Sequence, residues 1–276
     1  MMADGSKFAD RLLNLLNITT RADLLLLDEI CWARRLLIKD ANLDGAEARL
    51  VIAKGQGIIT VSTAIHDHRR RRFSISHELG HFEMHRGVGG VIGCTTDDIR
   101  QERETQTVQT LEREANEFAS AFLLPERFIA PLCKSRMPSL DHVAEIAESF
   151  STSLIATALR YIKFCDEPVA IVFSKSQHIQ WFQESVEFNE IRDDLGFFFD
   201  VHARIDVECL AHKLFQDPAF PSRSKKVPAS AWFINGKFKN DATIQEFSIP
   251  MPNYNSVLTL IWIDDVIDDD EIEYDD

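Results

Sequence analysis

Apolar positions follow a helical period over the first half of the chain and a β-type pattern over much of the second. Between residues 7 and 39, Leu12, Leu13, Leu15 and Leu16, then the run from Leu24 to Leu37, predict helix. Asn42 to Gly45 predicts a turn. Arg49–Ala53 and Ile58–Ser62 are rich in Val and Ile around Gly55 and Gly57, which predicts two short strands. A helix is expected from Phe73 to about His85. Another is expected from Leu111 to Leu124, with Leu111, Ala115, Phe118, Ala119 and Phe122 on one face and Pro125 as its stop. Ser139 is a candidate N-cap, and helix, Ser151–Ser153 turn, helix to Phe164 forms a hairpin. After Pro168 the pattern changes. Val169–Phe173, Ile179–Phe182, Ala231–Ile234 and Val257–Ile263 predict strands, and Asn235-Gly236 predicts a hairpin turn.

These patterns place a boundary near residue 165, and 276 residues agree with about two domains. The hydrophobic fraction of 45% is enough for packed cores. Net charge is −14, but the segment Asp264 to Asp276 holds nine acids and no base. Taking those nine from the 44 acids leaves 35 against 30 bases, a mild −5. The tail, 264–276, is therefore expected to be solvated and disordered. The overall acidity excludes a general DNA binder, which needs a basic footprint, though not a local basic groove. No apolar run approaches the ~20 residues of a membrane span, so no membrane association is expected. Cys31, Cys94, Cys133, Cys165 and Cys209 are dispersed with no C-x-x-C pair, and no secretory signal is evident. Reduced thiols and a cytoplasmic location are expected. Any metal site must then draw on His and carboxylates.

His77-Glu78-Leu79-Gly80-His81 carries the sharpest chemistry. On a helix, residues i and i+4 share a face, so two imidazoles can hold one ion. Zinc makes water a nucleophile near neutral pH, and Glu78 is placed to take the proton. His81 and His85 form a rival i, i+4 pair, but its Glu83 points to the far side of the helix. His77 and His85 lie about 12 Å apart along the axis and cannot share one ion with His81. A third protein ligand is needed. In Glu112-Arg113-Glu114-Ala115-Asn116-Glu117, Glu112 and Asn116 share a face. Glu112 as ligand and Asn116 as a partner to a histidine form a coherent pair, while Glu114 and Glu117 read as solvated charges.

Three ordered motifs resemble the ImmA/IrrE (DUF955) zinc metallopeptidases: Arg72 to His81, then Glu112-x-Glu114-Ala115-Asn116-x-Phe118-Ala119, then Leu123-Leu124-Pro125. The resemblance covers about residues 20–165. It implies zinc ligands His77, His81 and Glu112 and a catalytic base Glu78. It implies an α+β fold: a mostly helical zincin-like domain with a small sheet (1–135), a helix-turn-helix-like linker (136–165) and a small GAF-like sensor (166–263). It also implies an endopeptidase that cuts a helix-turn-helix repressor in a stress or phage-defence response.

Several candidate controls and contacts accompany that reading. Cys94 closes a glycine-rich segment and is a candidate inhibitory zinc ligand. Arg223, Lys225 and Lys226 near Trp232 and Phe233 are a candidate single-stranded DNA surface, through which DNA damage would activate the protein. Arg69 to Arg72 are a candidate for attracting an acidic partner or serving as scaffold. Ile58–Ser62 is a candidate edge strand for an extended substrate. The rival classes are a metal-containing sensor without peptidase activity and a DNA-binding regulator acting through residues 139–163.

Overall fold

The computed structural model describes residues 4–86, 102–238 and 241–264. The fold is α+β and divides into two compact units. The first comprises residues 1–129 and 146–156, and the second residues 130–145 and 157–276.

In the first unit, α1 (Gly5–Leu15) starts at Asp4, whose carboxylate accepts from the Lys7 N–H. α2 (Arg21–Leu25) starts with a reciprocal Thr20–Asp23 cap, and α3 (Leu27–Ala33) follows. The helix expected up to residue 39 stops here. Arg35 takes a left-handed conformation at φ 63°, and Leu36–Ala41 forms strand β1. The Leu-Leu-Ile run suits either period, and pairing with a neighbouring strand decides it. β2 (Ala48–Ala53) and β3 (Gln56–Ser62) form as expected, joined through Lys54 and Gly55, both at positive φ. β3 lies between a parallel β1 and an antiparallel β2. Both its edges are used, so it cannot pair with a substrate as an edge strand. Leu36, Leu50, Ile59 and Val61 face the core.

α4 (His68–Met84) begins at Asp67, whose side chain accepts from the Arg69 and Arg70 N–H groups. Every residue from Ser74 to Phe82 is buried, so this helix is packed on all faces. α5 (Glu102–Leu123) starts earlier than the apolar pattern indicates and stops before Pro125. α6 (Glu126–Cys133), α7 (Leu140–Phe150) and α8 (Leu154–Phe164) complete the helices of this half of the chain, and the unit division passes through all three. Ser139 caps α7 and Ser153 caps α8 through their hydroxyls. Ser151, at φ 56°, makes the turn. In α8, Thr157, Ala158, Arg160, Tyr161 and Ile162 are buried, and the exposed positions are Leu159 and Lys163.

In the second unit, β4 (Val169–Lys175), β5 (His178–Glu184), α9 (Val186–Leu195), β6 (Phe197–Phe198), α10 (Leu210–Gln216), β7 (Ser224–Pro228), β8 (Ile234–Asn235), β9 (Thr243–Met251) and β10 (Ser256–Trp262) follow in order. An antiparallel sheet runs β5-β4-β10-β9-β7. Of the expected strand Ala231–Ile234, Ala231 ends a 3-10 turn (Ala229–Ala231) and only Ile234 is in a strand, the two-residue β8, which pairs with β6. Asn235 and Gly236 do turn at positive φ, but the strand after them belongs elsewhere.

Trp232 and Phe233 are core residues here, packed with Phe188, Phe197 and Phe199. Their rings cannot stack on bases. Lys225 donates to the Glu208 carbonyl, Lys226 pairs with Asp264, and Arg223 donates to the Phe220 carbonyl. The charge-plus-aromatic surface expected for single-stranded DNA is therefore not formed. No helix among the described residues is long and apolar enough to cross a membrane.

Candidate metal centre

Two helices build the site. α4 supplies His77 and His81, one turn apart, and α5 supplies Glu112. The helices approach closely because α4 has glycine where they meet. A Cβ at Gly80 would lie 2.9 Å from Phe118 Cδ1.

Three ligand-type atoms converge. His77 Nε2 lies 3.0 Å from His81 Nε2, and the two lie 3.1 and 3.2 Å from the Glu112 oxygens. Three ligands at ~2.0–2.1 Å from one ion in tetrahedral array would stand about 3.3 Å apart, so the triangle fits a zinc-sized ion. Two imidazole nitrogens facing each other and a carboxylate are also the donor set that such an ion takes.

The electrostatics follow from that crowding. Burial disfavours a charged His77, but the bond and charge of Glu112, with help from Glu78 and Asn116, outweigh it and raise its pKa. Burial lowers the pKa of His81 despite Glu112, and neighbouring His77 and His85 lower it further. Burial opposes the Glu112 charge, yet the two imidazoles hold its carboxyl well below the usual carboxylate range.

Around the triangle, His77 Nδ1 lies 3.0 Å from Asn116 Oδ1. Asn116 can accept the Nδ1–H, which leaves the Nε2 lone pair pointing into the site. Glu78 is buried beside His77 and contributes to its raised pKa. The residues expected from spacing thus come together: His77, Glu78, His81, Glu112 and Asn116. Cys94 lies outside the described residues.

Glu114 departs from expectation. It is 5% exposed rather than solvated, with Oε2 3.1 Å from His85 Nε2. The signal in sequence was faint: His85 follows His81 by four, and Glu114 follows Glu112 by two. Glu117 is also engaged, accepting from Gly5 N and Ser6 Oγ.

The basic run before the motif is scaffold. Arg69 pairs with Glu148, Arg70 with Glu47 and Arg71 with Asp40, and Arg72 donates to the Leu24 and Leu25 carbonyls.

Residues 35–161 match the Peptidase_M78 family model, described as the IrrE N-terminal-like domain. A solved structure of a Mycobacterium tuberculosis transcriptional regulator is similar at 15% identity and a TM-score of 0.51, over 94% of this chain and 87% of that one. At that identity the likeness is one of fold. No curated protein matches this chain.

Proposed function

We propose, from the premise that residues 35–161 carry an IrrE N-terminal-like peptidase domain, that this chain is a zinc-dependent endopeptidase. The carrying observation is the convergence of His77 Nε2, His81 Nε2 and Glu112 from two helices. These three would hold the ion, and Asn116 would fix His77 in the ligating tautomer. A zinc ion, when bound, supplies Lewis acidity that activates water near neutral pH and polarises a carbonyl. Glu78, next in the chain to His77, takes the proton of the attacking water and returns it to the leaving peptide nitrogen. Burial keeps competing solvent from that carboxylate.

The substrate class we infer is a helix-turn-helix transcription repressor, whose cutting switches on a stress or defence response in the cytoplasm. Family membership and a regulator-like structural neighbour support this. The second unit would carry regulation. A DNA-binding role through residues 139–163 gains no support, because α8 exposes Leu159 and Lys163 rather than a row of polar side chains.

The test is co-expression with the protein encoded next to this one, wild type against Glu78→Gln, with products identified by mass spectrometry. Discrete fragments with wild type, a drop of at least ~100-fold in Glu78→Gln and equal zinc content in both are expected. Equal cleavage in both, or none from zinc-loaded wild type, sinks the reading.

A further inference from the structure

We propose that Glu114 and His85 are positioning residues that lock His81 in the tautomer that binds metal. The inference rests on the metal-site reading above and concerns residues outside the ligand triangle.

His81 is fully buried, and its two nitrogens face different neighbours. Nε2 faces His77 and Glu112. Nδ1 lies 3.0 Å from His85 Nδ1. His85 Nε2 in turn lies 3.1 Å from Glu114 Oε2. His85 and Glu114 are 4% and 5% exposed, so water does not serve in their place.

The protons along this chain follow from one requirement. A histidine that ligates through Nε2 carries its proton on Nδ1. His81 Nδ1–H then needs an acceptor, so His85 Nδ1 must present its lone pair. The His85 proton must therefore sit on Nε2, where the Glu114 carboxylate accepts it. Each link forces the next, and a group that only accepts stands at the end.

Without Glu114, the opposite His85 tautomer becomes accessible. Its Nδ1–H would face the Nδ1–H of His81, which favours moving the His81 proton to Nε2 and closing that nitrogen to metal. His77 reaches the same end in one step, through Asn116. A buried carboxylate is rare unless paired, and the partner of this one touches a ligand. If the pair merely tied the end of α4 to α5, its loss would lower stability and leave ion affinity unchanged.

The experiment uses the full chain as wild type, Glu114→Leu (which removes the acceptor, as glutamine would not), His85→Phe and the double variant. Zn²⁺ affinity is read by competition with a chromophoric chelator, site geometry by the Co²⁺ d–d spectrum, and apo-protein stability by thermal unfolding. Wild type should bind one ion. Either single variant should weaken binding about 10–100-fold and shift the Co²⁺ spectrum. The double variant should be no weaker than His85→Phe, because Glu114 acts through His85. Wild-type affinity and an unchanged Co²⁺ spectrum in both single variants overturn the proposal, whatever their unfolding midpoints. Should one single variant fail to fold, the other decides. A wild type that binds no ion overturns the metal reading beneath it and is recognised before any variant is compared.

Discussion

Gly80 of α4 faces the ring of Phe118 of α5 with no room for a side chain between them: a Cβ there would stand 2.9 Å from Cδ1, 3.1 Å from Cγ and 3.2 Å from Cβ of Phe118. Phe118 is fully buried and stacked on Phe122, so it cannot swing aside. This contact fixes the spacing at which Glu112 meets His77 and His81.

Gly80→Ala should therefore loosen the site as well as the fold. Alanine favours helix by ~1 kcal/mol, but overpacking costs ~1–3 kcal/mol. A net loss of about 1 kcal/mol is expected in urea unfolding, together with weaker zinc binding by chelator competition. An alanine variant with wild-type stability and affinity would show that the helix spacing is not set here.

Asn116→Leu keeps the size of the side chain and removes the acceptor for His77 Nδ1–H. Zinc affinity should fall about 10–100-fold. Asn116→Asp, which still accepts, should bind at least as tightly as wild type in the same titration.

Chelation should destabilise the folded chain through the site. With free zinc at ~100 Kd, binding contributes about 2.7 kcal/mol. Adding EDTA should lower the melting temperature of wild type in differential scanning fluorimetry. The melting temperature of His77→Ala should not respond.

Glu246 of β9 is the buried carboxyl group that holds α10 in the second unit. Its two oxygens accept from the Leu210 and Ala211 N–H groups at the start of that helix, from Trp232 Nε1 and from Ser248 Oγ. Glu246→Ala should cost on the order of 3 kcal/mol, because it orphans buried donors.

Burial pushes the Glu246 carboxyl above its ordinary value of 4.5, against the pull of its four donors. The folded form therefore holds more protons than the unfolded one between the two pKa values. This contribution to stability is fully present below the unfolded pKa and is lost as pH rises through the folded one. Urea unfolding across pH should show the advantage of wild type over Glu246→Gln shrinking as pH increases. An advantage that grows with pH would reverse the sign assigned here.

Much of the centre was legible because helical geometry is local. His77 and His81, and Glu112 and Asn116, share faces by their four-residue spacing, and the structure keeps both pairs together. Glu114 was not legible. Glu112, Arg113 and Glu117 around it in the chain are charged, and its pairing with His85, at the end of α4, accompanies its burial. Arg69 to Arg72 were ambiguous for the same reason, since Glu47, Asp40 and Glu148 come from distant segments. Leu36 to Ala41 were misleading, because a short apolar run carries no period of its own and pairing with β3 gives it one.

The residue pattern by itself determined that this chain is α+β, that it presents two imidazoles one turn apart beside a glutamate, and that a second helix offers a carboxylate on the matching face. Only the tertiary structure decided that these two faces meet, that β3 is closed to partners on both edges, and that Trp232 and Phe233 are core. The physical reason is that spacing along a helix fixes which side chains share a face. Which faces touch depends on long-range packing, here on a glycine against a phenylalanine 38 residues away.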